Sequence, residues 1–344
     1  MIDDLLRSAV RDMADESYTP SGIASRAMAQ GHRIRRARRT ATVAAALAAV
    51  LAVTVPFVLL RDPSVRPRPL PAASPVIVHP TFDRAEVFRG PGGARLLGFS
   101  KSVDSFVLDA GNGYRQLPAT DTNVLPSPDG RHVAVQRPGH ESVQILDLRT
   151  GDYWKPPVPS QSFLVWSDDG SRLLLTQVDG YSIVEPATRW SVTHRLAAAR
   201  LPCLGICPFT WSGGTTEVAS PQVWTRGDDD TQINGLAIFD AKSGELLREL
   251  PIKGAPRDTN SWSADGRWVL VSESLRSLGQ KRVVEVASRR ESARFTAEWA
   301  GFLPDGTVLA QSGGVLTRYG TDGAVLEKAE LPAELRGQNL TFGF

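Results

Sequence analysis

Histidine and cysteine are scarce in this chain, which holds five histidines and two cysteines among 344 residues. No histidine stands close to Cys203 or Cys207, so the ligand spacing of a structural zinc site is absent, as is the C-x-x-C motif of a redox centre. The G-x-S-x-G, H-E-x-x-H and P-loop motifs are missing, which removes the usual sequence basis of serine hydrolases, zincins and P-loop nucleotide enzymes. We therefore expect no metal, no cofactor and no catalytic residue.

A clustered basic surface is also lacking. The formal net charge is +2, and residues 1–39 hold eight arginines against five acidic residues, so that segment contributes +3 and the remainder about −1. Binding to nucleic acid needs a clustered basic face. No nucleic-acid partner is therefore expected.

Charge is absent from one long segment, Thr40 to Leu60. An apolar helix of about 20 residues spans the hydrocarbon core of a bilayer, about 30 Å, so this segment is predicted to be a transmembrane helix. The arginine-rich flank His32 to Arg39 favours a cytoplasmic N-terminus and an extracytoplasmic C-terminal part. A cleaved signal peptide is the alternative, but its apolar region usually has about 7 to 15 residues and follows a shorter leader.

Residues 1–39 are predicted to form a short helical cytoplasmic segment, which Tyr18 to Gly22 interrupts at Pro20. Two interpretations stay open. Either an apolar stripe on the first helix binds a cytoplasmic regulator, or both helices lie on the anionic inner leaflet of the lipid bilayer. The stripe consists of Ile2, Leu5, Leu6, Ala9, Val10 and Met13.

Residues 61–80 are rich in proline and are predicted to form an extended stalk. Polyproline II rises about 3.1 Å per residue, so the stalk holds the following domain some tens of ångströms from the membrane. Its prolines are Pro63, Pro67, Pro69, Pro71, Pro75 and Pro80.

One short phrase recurs through residues 81–344, with its glycines 40 to 52 residues apart. In the clearest copies a strand ends in an aromatic residue, Asp-Gly forms a tight turn, and an apolar strand returns. A period of this length, made of short strands and turns, indicates the blades of a β-propeller. The copies are Ser127 to Gly130, Trp166 to Gly170, Trp211 to Gly214, Trp262 to Gly266 and Phe302 to Gly306.

The predicted fold class is all-β, a six-bladed β-propeller preceded by a transmembrane helix and a short helical cytoplasmic segment. Seven blades is the alternative count. A strand from one end of the domain must close the ring, either Val76 to Val78 or Leu340 to Phe344, because an open ring leaves two free sheet edges. The six blades are predicted at about residues 84–119, 120–160, 161–200, 206–254, 258–297 and 298–333.

The repeated phrase resembles that of the TolB-like propellers, W-S-x-D-G-x-x-L-x-F, at Trp166 to Leu175 and at Trp262 to Val271. Val143 to Gly151 is similar to the end of a WD repeat, with Leu146 at the position of the tryptophan. The resemblance implies a propeller fold over about 250 residues. It implies little about activity, because propellers serve as scaffolds, sensors and enzymes.

The N-terminal arrangement of an acidic helix, a proline break, an arginine-rich run and an apolar span also carries a resemblance. It resembles the N-termini of single-pass membrane proteins of high-GC actinobacteria, some of which are anti-sigma regulators. The His and Cys zinc motif of many anti-sigma domains is missing.

The candidate binding residues lie in an insertion of the fourth blade, where the chain departs from the repeat. Three adjacent carboxylates could hold Ca²⁺, but they lack the alternating ligand spacing of a calcium loop, so a solvated hairpin tip is favoured. The residues are Trp224, Arg226, Asp228, Asp229 and Asp230.

Cys203 and Cys207 lie on the predicted extracytoplasmic side, between Pro202 and Pro208. An oxidising compartment favours a structural disulfide there.

These observations predict a single-pass membrane protein that presents an extracytoplasmic propeller and binds an envelope protein, peptide or glycan without chemistry. One alternative is a transmembrane signal transducer, similar to anti-sigma regulators, with the propeller as its sensor. Another is a hydrolase or lactonase with its site in the central pore, which three or more convergent acidic, amide or imidazole side chains would favour.

We predict that the native protein stays in the membrane fraction, because the arginine cluster precedes an uncleaved apolar span. Fractionation followed by N-terminal sequencing of the mature protein checks this. A soluble exported form that begins between residues 45 and 75 would show that the segment is a cleaved signal peptide.

Overall fold

The structure is a computed structural model that describes residues 77–78, 80–101, 104–119, 121, 123–136, 142–158, 163–196, 208–222, 233–257, 259–273 and 279–343. These residues belong to one compact unit, Ala73–Phe344. The predicted cytoplasmic segment, transmembrane helix and most of the stalk lie outside the described residues. The helices that are described, 3₁₀ turns at Pro91–Gly93 and Ala333–Leu335, are too short to cross a membrane.

Twenty-four strands are described in this unit, and they form six sheets. In chain order they are β1 (Ile77–Val78), β2 (Arg95–Lys101), β3 (Asp104–Leu108), β4 (Tyr114–Gln116), β5 (Asn123–Pro126), β6 (His132–Gln136), β7 (Val143–Asp147), β8 (Tyr153–Trp154), β9 (Leu164–Trp166), β10 (Leu173–Gln177), β11 (Gly180–Glu185), β12 (Trp190–Arg195), β13 (Thr210–Trp211), β14 (Glu217–Gln222), β15 (Gly235–Asp240), β16 (Leu246–Leu250), β17 (Trp268–Ser272), β18 (Gln280–Glu285), β19 (Glu291–Thr296), β20 (Trp299–Phe302), β21 (Val308–Ser312), β22 (Val315–Tyr319), β23 (Val325–Glu330) and β24 (Asn339–Gly343).

The six sheets are the blades of a propeller, which confirms the predicted all-β, six-bladed fold. Blades 2, 3 and 4 each consist of four consecutive antiparallel strands, β5 to β8, β9 to β12 and β13 to β16. Blade 5 contains β17 to β19, and a β-bridge between Trp262 and Val269 takes the place of its innermost strand. Blade 6 contains β20 to β23, with β1 added in parallel to its outer strand.

The C-terminal strand closes the ring. β24 is the inner strand of blade 1 and pairs antiparallel with β2, with Phe342 opposite Leu96 and Leu340 opposite Phe99. Of the two predicted closing segments, the C-terminal one, Leu340 to Phe344, therefore supplies the closing strand, which the structure describes as Asn339–Gly343. Ile77 and Val78 instead pair with Lys328 and Ala329 at the outer edge of blade 6. Blade 1 is thus built from residues at both ends of the domain.

Tryptophans at the repeated position join neighbouring blades. The Trp166 indole N–H donates to the Leu125 carbonyl of blade 2 at 2.8 Å, and that of Trp211 donates to the Val165 carbonyl of blade 3 at 3.2 Å. All three tryptophans of the repeat, including Trp262 in blade 5, are at most 4% exposed. Each therefore buries its ring against the blade that precedes it while satisfying its polar N–H group.

The antiparallel order separates two kinds of connection. In each complete blade the turns from the first to the second strand and from the third to the fourth lie at one face, which we call the turn face. The connections from the second to the third strand, and from one blade to the next, lie at the opposite face, the loop face. The repeated Ser-x-Asp-Gly turns therefore lie on the turn face.

We predict that Trp166→Ala and Trp262→Ala each lower the free energy of unfolding by about 3 to 5 kcal/mol, because each removes a buried ring from the contact between two blades. Asp129→Ala should cost far less, since it removes hydrogen bonds within a single exposed turn. Urea unfolding of the three variants measures this, and small, equal losses would contradict the assigned packing.

Candidate functional site

The structure leaves the predicted site residues untested. Cys203 and Cys207, and the candidates Trp224, Arg226, Asp228, Asp229 and Asp230, lie outside the described residues. The strand ends that flank the insertion, Gln222 of β14 and Gly235 of β15, lie on the loop face. The ends that flank the cysteine segment, Arg195 of β12 and Thr210 of β13, lie on the same face. The disulfide between Cys203 and Cys207 and the five candidate binding residues therefore stay predictions.

A cavity of about 290 Å³ lies at the mouth of the central channel on the turn face. Its lining residues come from blades 3, 5 and 6, and blades 3 and 6 stand opposite each other in a ring of six. A cavity that both blades line must therefore lie on the propeller axis. The lining consists of Asp168, Asp169, Asn260, Trp262, Ala264, Phe302, Leu303 and Pro304.

Asp169 is committed to its own turn. Its Oδ1 accepts hydrogen bonds from the Ser167 hydroxyl at 2.6 Å, the Ser171 amide at 3.0 Å and the Ser171 hydroxyl at 2.8 Å. Asp265 accepts in the same way from Ser263 and from the amide of Arg267. The aspartate that directly precedes the glycine of the phrase therefore stabilises the turn, as the sequence predicts.

Asp168 has no such role. Among the residues that the structure describes, its carboxylate makes no hydrogen bond or ion pair. The equivalent position holds Pro128, Gly213, Ala264 and Pro304 in the other copies of the phrase. Folding of the turn therefore needs no carboxylate at this position, and Asp168 lines the channel mouth with a carboxylate that no described hydrogen bond holds.

The two carboxyl groups have pKa values shifted in opposite directions. Burial within the surrounding protein, and the charge of Asp169, raise the pKa of Asp168 to about 6. For Asp169 burial acts in the same upward sense, but hydrogen bonds from Ser167 and Ser171 outweigh it and lower the pKa. The Asp168 residue is still exposed to water at the mouth, so solvent screens part of this effect.

The other walls of the cavity are mainly apolar. Trp262 and Phe302 are 4% and 2% exposed, so they present only small parts of their rings. Leu303 is equally buried, whereas Pro304 and Ala264 lie open at the rim. Asn260 has a positive φ of 62°, and its carbonyl accepts a hydrogen bond from the Phe302 amide at 2.7 Å. That bond joins blade 5 to blade 6 at the mouth.

A second cavity, of about 560 Å³, lies between blades 3 and 4 at the outer part of the turn face. Trp190, at the start of β12, is 46% exposed beside it. We call this cavity the rim groove. Sequence reasoning missed it, because it forms between turns of two different blades. Its lining consists of Arg172, Ile183, Glu185, Thr188, Trp190, Ala241 and Lys242.

No group of three or more His, Cys, Asp or Glu side chains that could hold a metal ion occurs among the described residues.

Comparison with known proteins finds similarity only among solved structures. No known protein family matches the chain, and no curated protein does. TolB from Acinetobacter baumannii is 18% identical, with a TM-score of 0.46, over 71% of this chain and 68% of TolB. Hydrazine synthase from Kuenenia stuttgartiensis is 17% identical, with a TM-score of 0.40, over 62% of this chain and 66% of its own, just under two thirds. Similarities this distant say nothing of activity or ligand.

We predict that Asp168→Asn stabilises the protein at neutral pH. Because the folded pKa is raised, Asp168 favours the folded state while it is protonated and loses that contribution as pH rises to about 6. The variant should therefore match the wild type near pH 4 and exceed it above about pH 6, by up to about 1 kcal/mol after allowance for solvent screening.

Urea unfolding from about pH 4 to pH 8 measures this difference. Asp179→Asn is the control, because it makes the same charge change in the same blade at an exposed residue paired with Arg195 at 3.5 Å. A stability gain for Asp168→Asn that does not change with pH would contradict the assigned shift.

Proposed function

We propose that the chain is a single-pass membrane protein whose extracytoplasmic propeller binds a ligand without chemically changing it. Thr40 to Leu60 would anchor it, and the part of the predicted stalk, residues 61–80, that precedes β1 would hold the propeller away from the bilayer. The ligand would be a component of the cell envelope, a protein, a peptide or a glycan.

The channel mouth is the observation that carries the proposal. Its lining offers one uncommitted carboxylate, Asp168, beside buried aromatic and aliphatic walls. A small concave site with apolar walls and few polar groups is typical of ligand recognition. Among the described lining residues, none carries a hydroxyl, thiol, imidazole or amine group that could act as a nucleophile or base beside Asp168.

Two further surfaces suit a binding protein. The rim groove exposes Trp190 next to apolar walls, and exposed aromatic residues of this kind are enriched in interfaces. The strand ends that flank the blade 4 insertion, Gln222 and Gly235, lie on the loop face, and connections can vary without disturbing the blades. We propose Trp224, Arg226, Asp228, Asp229 and Asp230 as binding residues on that face.

A transducer is a variant of this proposal. The apolar stripe in Ile2 to Met13 would then hold a cytoplasmic regulator. Ligand binding to the extracytoplasmic propeller would change the release of that regulator. The arrangement of the N-terminal 60 residues supports this variant by resemblance to anti-sigma regulators.

A hydrolase or lactonase in the pore is the second candidate. Asp168 and Asp169 have pKa values shifted in opposite directions at one cavity, a pattern that often marks an acid and a base. Asn260 joins them in the lining. The hydrogen bonds that hold Asp169 in its own turn weigh against it, because a committed carboxylate is poorly placed to activate water or attack a substrate.

We expect the full-length protein in lipid nanodiscs to turn over no ester, lactone, peptide or glycoside probe. Product release measured by absorbance or mass spectrometry checks this, with the Asp168→Asn variant assayed in parallel. Turnover that Asp168→Asn abolishes would overturn the binding proposal in favour of the hydrolase.

The same preparation tests binding. Quantitative crosslinking to solubilised envelope fractions should recover a component that saturates with concentration, and deletion of Gly227 to Thr231 should weaken its capture while leaving the unfolding midpoint unchanged. Capture that is unaffected by this deletion would remove the loop face from the proposal.

A further inference from the structure

Negative charge predominates among the described residues of the channel-mouth cavity. The lining residues that the structure describes include two carboxylates and one amide, and none of them is a lysine, arginine or histidine. Asp129 adds to the negative field, because its carboxylate lies against Gly170 of the blade 3 turn. An anionic ligand would be repelled here, and a cation would be attracted.

The charge that a ligand meets comes mainly from Asp168. The Asp129 carboxylate accepts a hydrogen bond from the Ser127 hydroxyl and lies 3.8 Å from Arg131. The Asp305 carboxylate lies 2.5 Å from Arg318, so each of these two acids already has a positive neighbour. Asp168 has no described partner, and a cation bound beside it would favour its ionised form.

A metal ion fits this site poorly. Calcium takes about six to eight oxygen ligands, and magnesium requires near-octahedral oxygen coordination. The lining supplies the free oxygens of Asp168 and the amide oxygen of Asn260, while Asp169 is engaged by Ser167 and Ser171. An organic cation needs fewer oxygen acceptors than a metal ion does.

The remaining walls suit an aliphatic stem. Trp262, Phe302 and Leu303 are buried beside the cavity, and Pro304 lies at its rim. At about 290 Å³ the cavity is at or below the small end of the roughly 300 to 1,000 Å³ typical of drug-sized ligands. It therefore suits one side chain or one small molecule.

We propose that the channel mouth binds a primary ammonium group carried on an aliphatic stem, the chemistry of a lysine side chain or an alkyl diamine. Asp168 accepts the ammonium, and Trp262, Phe302, Leu303 and Pro304 line the space for the stem. This inference rests on the proposed function, because it names the ligand class of the same site.

The test measures binding of Nα-acetyl-lysine N-methylamide to the full-length protein in nanodiscs at low salt, by saturation-transfer NMR. Its Nε-acetylated form is the matched neutral probe, and 1,5-diaminopentane is the free diamine. We expect the lysine probe to bind at least tenfold more tightly than the acetylated probe. If the diamine binds more tightly than the lysine probe, the ligand is a free amine rather than a side chain, and the ammonium assignment still holds.

Asp168→Asn should weaken binding of the charged probe at least tenfold, whereas Asp168→Glu keeps the charge and should retain most of it. Asp179→Asn is the control on the loop face of the same blade and should bind as the wild type does. Unfolding midpoints of the three variants show that the propeller remains folded.

Equal binding of the charged and acetylated probes, no binding of any amine, or unchanged binding by Asp168→Asn would each overturn the ammonium assignment. None of these results alters the turnover and crosslinking experiments, so the proposed function can survive them. Conversely, turnover of a probe that depends on Asp168 would overturn the proposed function even if amines bind.

Discussion

The pairing of β24 with β2 is the contact on which the rest of the propeller depends. It covers the inner edge of β2 with a strand from the far end of the domain, and a buried cluster that includes Leu96 and Leu309 packs blade 1 against blade 6 beside it. Closure places the turns of blades 3, 5 and 6 around a common mouth. The cavity there belongs to the ring as a whole, since no two adjacent blades contain all of its lining.

Within the closed ring, two residue types of the repeated phrase have different structural roles. The aromatic residue packs against the preceding blade. Trp166 does so, and its indole N–H donates a hydrogen bond to the Leu125 carbonyl of that blade. The acidic residue folds its own turn, as Asp169 and Asp265 do. Because these roles account for the recurring residues, a residue that departs from the phrase without a folding role stands out, and Asp168 is that departure.

Asp168 is central to both candidate functions. Its pKa, raised to about 6, leaves a carboxyl group that could transfer a proton or attract a cation. Catalysis would need a second free group at the mouth, and Asp169 is held by Ser167 and Ser171. Binding needs only the charge and the apolar walls beside it. This is why recognition of a cation follows more directly from the geometry than hydrolysis does.

The sequence alone was enough to predict the class of fold, six blades with seven as the alternative, and the closing segment as one of two, because each blade repeats a local pattern of strands and turns. It also showed Asp168 inside the phrase Trp166 to Gly170, and a comparison with Pro128, Ala264 and Pro304 could have singled it out. Only the tertiary structure decided that β24 closes the ring and that β1 joins blade 6. Only it placed Asp168 with Trp262 and Phe302 at one mouth, because residues about 94 to 134 positions apart in sequence meet across a ring whose axis has no local signature.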